Sequence, residues 1–221
     1  ALARRYGAAI HAVGRDLDEA KLAGLAHATE ADAPFFEDGA ERAQYEGYRS
    51  VAAEILAELP EPPAAVIVPV GNGALLGGIG LELCERSPET ERIGVAAASA
   101  PVMAESWAAG RALPSSRADT FADGLAVRVA IPLAVSILGE VASRMLLVSE
   151  RALARAVGAY AEAGIRVEGA GAASYAALAD VEPLDGPIVL VVTGRNIDED
   201  LLRRAREAPE TFSDCGHQLS T

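Results

Sequence analysis

Gly71-Asn72-Gly73, set between an apolar run and a helix-like run, is the stretch of this sequence with the clearest capacity for chemistry. Gly71 and Gly73 carry no Cβ, so the backbone there can turn to positive φ and come close to a ligand. The N–H groups of Gly73, Ala74 and Leu75 are expected at a helix N-terminus, unpaired and at the positive end of its dipole. A turn of this kind binds a phosphate ester without any charged side chain. The plainer alternative is a tight strand-to-helix turn with no ligand. Two common phosphate motifs do not fit. A Walker loop needs Lys and then Ser or Thr after its last glycine, but Gly77 is followed by Gly78. A dinucleotide fingerprint needs a third glycine where Leu76 stands, and the next apolar run, 93–97, leads into no acid that could hold a ribose.

The elements around this turn follow from periodicity and punctuation. Ala65 to Val70 is an apolar, β-branched run and predicts a buried strand; the LELCER run after Gly80 predicts a helix. Upstream, residues 1–6 read as a helix end stopped by Gly7, and 8–13 as a short strand. A helix from about Leu17 to Ala31, capped by Asp16 or Asp18, follows. A second, from about Glu41 to Leu59, places Tyr45, Tyr48, Ala52, Ile55 and Leu59 on one face and ends at Pro60. Downstream, strands are expected at 93–97, 145–148 and 187–192, and helices at 101–109, 131–143, 150–164, 171–180 and 198–207. Ser149 and Asp198 are placed to cap two of them. Strands alternating with helices predict an α/β fold, a mostly parallel sheet with helices on both faces.

Several stretches, taken together, resemble one family. VIVPVGNGALLGGIG at 66–80 is similar to the phosphate loop of the fold type II, tryptophan-synthase-like, pyridoxal-phosphate enzymes. TFADGLAVRV at 120–129, GIRVEGAGAASYAAL at 164–178 and VVTGRNID at 191–198 resemble stretches of the threonine and serine dehydratases, in the same order. YEGYRSVAAEI at 45–55 is closer to threonine synthases. The resemblance implies a large cofactor domain over 36–208, the end of a smaller α/β domain over 1–35, and a loose tail over 209–221. It implies pyridoxal phosphate, a small amino-acid substrate and a homodimer. The implied activity is an ammonia-lyase reaction, β-elimination from a hydroxy amino acid to a 2-oxo acid and ammonia. Open alternatives are a threonine-synthase-like enzyme, a non-catalytic ligand-binding remnant or subunit, and a nicotinamide-binding domain.

Carried onto this sequence, the resemblance makes Gly71, Asn72, Gly73, Ala74 and Leu75 the phosphate cradle and sets Thr193 against the pyridine nitrogen. A hydroxyl there leaves that nitrogen largely neutral. Glu168 becomes an acid facing the site; alternatively it meets a helix dipole, while Thr193 and Asn196 shape a turn. Arg195 departs from the family's second glycine. Asp119 and Asp123 could hold a Mg²⁺ or Ca²⁺ ion, as in serine-racemase-like members, or be solvated loop acids. Arg49 and Ser50 stand where a substrate contact is conceivable. The family's Schiff-base lysine belongs to an earlier segment that these residues do not match. Lys21, the only lysine, sits in a helical stretch of the smaller domain and is assigned no catalytic role.

Composition narrows the class. Net charge is −13 with no basic stripe, which opposes nucleic-acid binding. Hydrophobic residues make up 51% and aromatics only 5%, so the core is aliphatic and rich in alanine. No apolar run reaches the ~20 residues of a membrane span. Cys84, Cys215 and the three histidines (His11, His27, His217) form no metal spacing, and the two cysteines read as buried or incidental thiols in a reducing cytoplasm. The opening ALARRYGAAI has neither Met nor a signal peptide's apolar core, and reads as the middle of a helix in a cut chain.

Overall fold

The computed structural model describes residues 2–14 and 17–213. Asp16, Cys215 and His217 lie outside the described residues. The chain forms two compact units, one ending at Glu37 and the other beginning at Asp38.

The small unit holds α1 (Leu2–Arg5) and α2 (Leu17–Glu30). Residues 8–13, expected as a strand, are exposed and form none. A strand needs a partner for its backbone groups, and this unit has no other strand among the described residues. Lys21 Nζ donates to Glu37 Oε1 at 2.8 Å. The His11 and His27 rings meet at 5.0 Å.

The large unit begins with α3 (Arg42–Glu58), β1 (Ala65–Pro69), α4 (Ala74–Arg86), β2 (Glu91–Ala97) and α5 (Val102–Ala109). It continues with α6 (Pro132–Val141), β3 (Arg144–Val148), α7 (Glu150–Glu162), α8 (Ala173–Ala176), β4 (Ile188–Leu190) and α9 (Glu199–Glu207). All strand pairs are parallel, in the order β3-β2-β1-β4. The strand period of two sends β1 side chains to both faces. Val66, Val68 and Val70 pack with residues of α3, α4, α5 and α6, whereas Ala65 and Ile67 pack with Leu153 of α7 and Ala173 of α8. β1 is buried along its whole length, as its unbroken apolar sequence requires.

In the large unit, three features differ from the sequence-based expectation. The helix expected over 171–180 is broken into a 3-10 turn (Ala170–Ala172), the single turn α8 and another 3-10 turn (Leu178–Asp180). This segment is pinned to the sheet: Ser174 Oγ, fully buried, lies 2.9 Å from Ile67 O and 3.0 Å from Val191 O. The strand expected over 187–192 shrinks to β4, half-buried at the sheet's edge. Asp198 stands at the N-cap of α9, but its side chain accepts no N–H. Ser149 does cap α7, accepting from Ala152 N at 3.1 Å.

Helices α3 and α4 touch through glycine. A Cβ on Gly77 would stand 2.6 Å from Tyr45 Cδ1, and one on Gly78 would overlap Tyr45 O. Arg49 reaches from α3 to Glu82 and Glu85 of α4, which accounts for its guanidinium without a substrate. Ser50 Oγ donates to Gly47 O. The wedge predicts opposite outcomes for two helix glycines. Gly78→Ala loses about 2 kcal/mol or more in urea unfolding, because the obstacle is backbone. Gly47→Ala, with nothing within 4 Å of the added methyl, gains about 0.5–1 kcal/mol from helix propensity. Equal effects at the two positions would contradict this packing.

Tyr45 is 1% exposed and its Oη donates to Gly39 O at 2.7 Å. Burial first, then the Asp38 charge, pushes its phenol up from 10.0 to about 12. The folded state therefore binds this proton more tightly than the unfolded chain. The resulting stability is whole below pH 10 and is lost as pH rises to about 12. Tyr45→Phe is expected to flatten the alkaline fall in urea stability across that window; an unchanged slope would rule the buried phenol out as its source.

Candidate functional site

The parallel strands deliver their carboxyl ends to one side of the sheet, and the glycine turn lies there. Val70 N still bonds to Val95 O of β2 at 2.8 Å, and the chain then leaves the sheet. Gly73 is the N-cap of α4 with φ 93°, a left-handed conformation that glycine adopts without strain. The N–H groups of Gly73 and Leu75 have no acceptor among the described residues, as the sequence led one to expect. Ala74 N–H differs: it donates to Asn72 Oδ1 at 3.0 Å. An asparagine two residues before a free N–H forms this local turn readily, so the signal was present in the sequence.

The other motif stretches converge on the same place. A Cβ on Gly71 would overlap the Gly124 carbonyl oxygen, so the 120–129 stretch passes directly against the turn. A Cβ on Gly124 would meet Ala170 Cβ at 2.8 Å and Glu168 Oε1 at 3.6 Å. A Cβ on Gly171 would meet Gly194 O at 2.6 Å, and one on Gly194 would overlap the Glu168 carboxylate. Glu168 N–H donates to Gly194 O at 3.0 Å. Glu168 is half-buried and lines a cavity of ≈ 120 Å³ with Phe121, Asp123, Asn196 and Asp198.

Thr193 is exposed just beyond β4, at the same end of the sheet as Gly71. Arg195 and Asn196 follow it, also exposed. The turn closes with Ile197 N donating to Arg195 O at 3.2 Å.

Glu150 was not foreseen as a site-building residue. It is 4% exposed; its carboxylate accepts from Phe121 N at 3.0 Å and from Ser99 Oγ. It thus ties the stretch leading to Gly124 to the end of β2. A carboxylate just after a capping serine is ordinary at a helix start, so only its burial reveals this role.

Asp119 is exposed and pairs with Arg117, whereas Asp123 is exposed and opens on the cavity beside Glu168. Among the described residues no group of three or more His, Cys, Asp or Glu could hold a metal ion. No helix among them is long and apolar enough to cross a membrane.

Unpaired donors at Gly73 and Leu75, the positive end of α4 and a floor free of side chains at Gly71 fit a phosphate ester. Thr193 follows the neighbouring strand on the side of the sheet where open α/β sheets bind ligands.

Comparison with known proteins bears on the family and the fold. The family profile described as pyridoxal-phosphate dependent enzyme matches residues 1–194. An L-threonine ammonia-lyase of Geobacter sulfurreducens is 35% identical over 88% of this chain and 49% of its own length. One from Thermotoga maritima is 31% identical over 91% of this chain and 50% of its own length. The chain spans about half the length of these curated relatives. Among solved structures, the processed form of threonine deaminase isoform 2 from Solanum lycopersicum superposes with a TM-score of 0.83 at 26% identity. That match covers 92% of this chain and 61% of the other. Profile, relatives and fold agree, and the chain belongs to the pyridoxal-phosphate dependent enzyme family.

Proposed function

We propose that this chain is the cofactor-binding part of a pyridoxal-phosphate ammonia-lyase acting on a β-hydroxy amino acid, threonine or serine. The observation that carries the reading is the convergence of Gly71, Gly124, Glu168 and Gly194 from separate stretches on the end of the sheet that holds the unpaired N–H groups. The names of the relatives, L-threonine ammonia-lyase and L-threonine dehydratase, favour elimination over a threonine-synthase-like replacement. Bound pyridoxal phosphate would supply the electron sink for removing the α-proton and the β-hydroxyl.

Gly73 and Leu75 N–H and the α4 dipole would hold the phosphate, with Asn72 shaping the turn. The Thr193 hydroxyl would hydrogen-bond the ring nitrogen. A neutral hydroxyl does not hold a proton on that nitrogen as a carboxylate would, and the milder electron sink suits β-elimination. Glu168 would keep the Gly194 turn against the site and add a negative charge beside it. The amine that takes up the cofactor would come from polypeptide outside these 221 residues, because the single lysine, Lys21, lies in the small unit and is paired with Glu37 there. The family resemblance is the support for a homodimer in the cytoplasm.

The reading is tested by intact-mass analysis of the naturally expressed protein, with and without borohydride after adding pyridoxal phosphate. The expected result is a single reduced adduct on a lysine outside residues 1–221 and release of a 2-oxo acid from threonine or serine. No adduct, or one only on Lys21 or the amino terminus, would replace the lyase with a binding remnant. Within that protein, Thr193→Ala should leave urea stability within about 0.5 kcal/mol, since the side chain is exposed. Its kcat should fall about 10- to 100-fold with the phosphate still bound; an unaltered kcat would remove Thr193 from the ring.

A further inference from the structure

We propose that Tyr45 is a positioning residue for the phosphate turn, acting through Gly39 on the Asn72 side chain. Gly39 is buried, with φ 89°. A Cβ there would stand 3.0 Å from Asn72 Cγ and 3.1 Å from Asn72 Nδ2, so Gly39 forms a wall against the carboxamide. That wall is held from both of its backbone groups. Gly39 N donates to Gln44 Oε1 at 2.6 Å, and Gly39 O accepts from Tyr45 Oη at 2.7 Å. Gln44 Nε2 also donates to Asp38 Oδ1. The Tyr45 ring, in turn, rests on Gly77 of α4. One buried side chain thus contacts both the helix that begins at the turn and the wall beside Asn72.

Asn72 is where the restraint acts. Its Oδ1 engages Ala74 N, which leaves the N–H groups of Gly73 and Leu75 as the donors that face out. An asparagine free to change rotamer would release Ala74 N and blur that pattern. The wall at Gly39 removes this freedom, and the Tyr45 hydroxyl keeps the wall in place. Ordering donors before a ligand arrives lowers the cost of binding it. The link to phosphate affinity rests on the cofactor reading above; the link between Tyr45 and the Asn72–Ala74 bond does not.

Amide hydrogen exchange on the purified protein, without ligand, tests the second link directly. Tyr45→Phe keeps the ring and removes the hydroxyl. It should speed exchange of the Ala74 amide about tenfold relative to the amide of Leu153 in α7, which corrects for any change in global stability. Asn72→Ala should do the same, and the double variant should exchange no faster than Asn72→Ala alone. An Ala74 amide that keeps its protection in Tyr45→Phe, or effects that multiply in the double variant, would overturn the proposal.

Pyridoxal phosphate titrated against the same proteins reads the first link. Tyr45→Phe should weaken binding about tenfold, and not at all in the Asn72→Ala background. If the unaltered protein shows no binding that inorganic phosphate can compete away, the cofactor reading fails, while the exchange result still decides the role of Tyr45.

Discussion

Close approach of backbone to backbone is the constraint on which the site depends. Gly71 and Gly124 meet where even a methyl group would overlap a carbonyl oxygen, and Gly171 and Gly194 meet almost as closely. Segments packed in this way leave little room for water, so their polar groups must bond to one another. Several do: Glu168 N to Gly194 O, Leu125 N to Ala122 O at 2.7 Å, and Val70 N to Val95 O. The N–H groups of Gly73 and Leu75, at the start of α4, have no such partner among the described residues. Donors at the first turn of a helix, beside the positive end of its dipole, are suited to an anion.

Proline explains why the sheet opens here. Along the β1–β4 ladder, Val191 N bonds to Ile67 O at 3.0 Å. In a parallel pair the next bond would run from residue 69 to the Val191 carbonyl, but residue 69 is proline and has no N–H. Ser174 Oγ, 3.0 Å from Val191 O, takes the place of the missing donor. The two strand ends can therefore part, one toward Gly71 and the other toward Thr193, without leaving a buried carbonyl unsatisfied. Proline is common only at sheet edges, and here its place at the last residue of a central strand serves the crevice.

Much of this was legible in residue order. Apolar runs marked β1, β2 and β3, and Pro60 and Ser149 marked where helices end and begin. The glycine turn announced its donors, and four stretches in family order announced the fold. What could not be read lies in contacts between distant residues. Nothing near Glu150 says that it is buried and tied to Phe121. Nothing near Ser174 says that it reaches two carbonyls and so keeps 171–180 from becoming one helix. The run at 8–13 has a strand's composition but finds no partner strand among the described residues of its own unit, and pairing, unlike propensity, is not a local property.

A net charge of −13 opposes a phosphate ester at long range. Screening removes most of that opposition. At physiological ionic strength, exposed charges more than about 8 Å apart largely cease to act on each other. Most of the acidic excess is therefore irrelevant at Gly73. What acts there is local: two N–H donors and roughly half a positive charge at the start of α4. Asp119 is neutralised by Arg117, and Glu150 is held by the Phe121 amide and Ser99. The carboxylates left around the ≈ 120 Å³ cavity are Asp123, Glu168 and Asp198, grouped by the Gly169 and Ile197 turns. A turn that binds an anion with backbone alone also has no cationic side chain to be drawn away by those acids, which is how a strongly acidic chain keeps such a site.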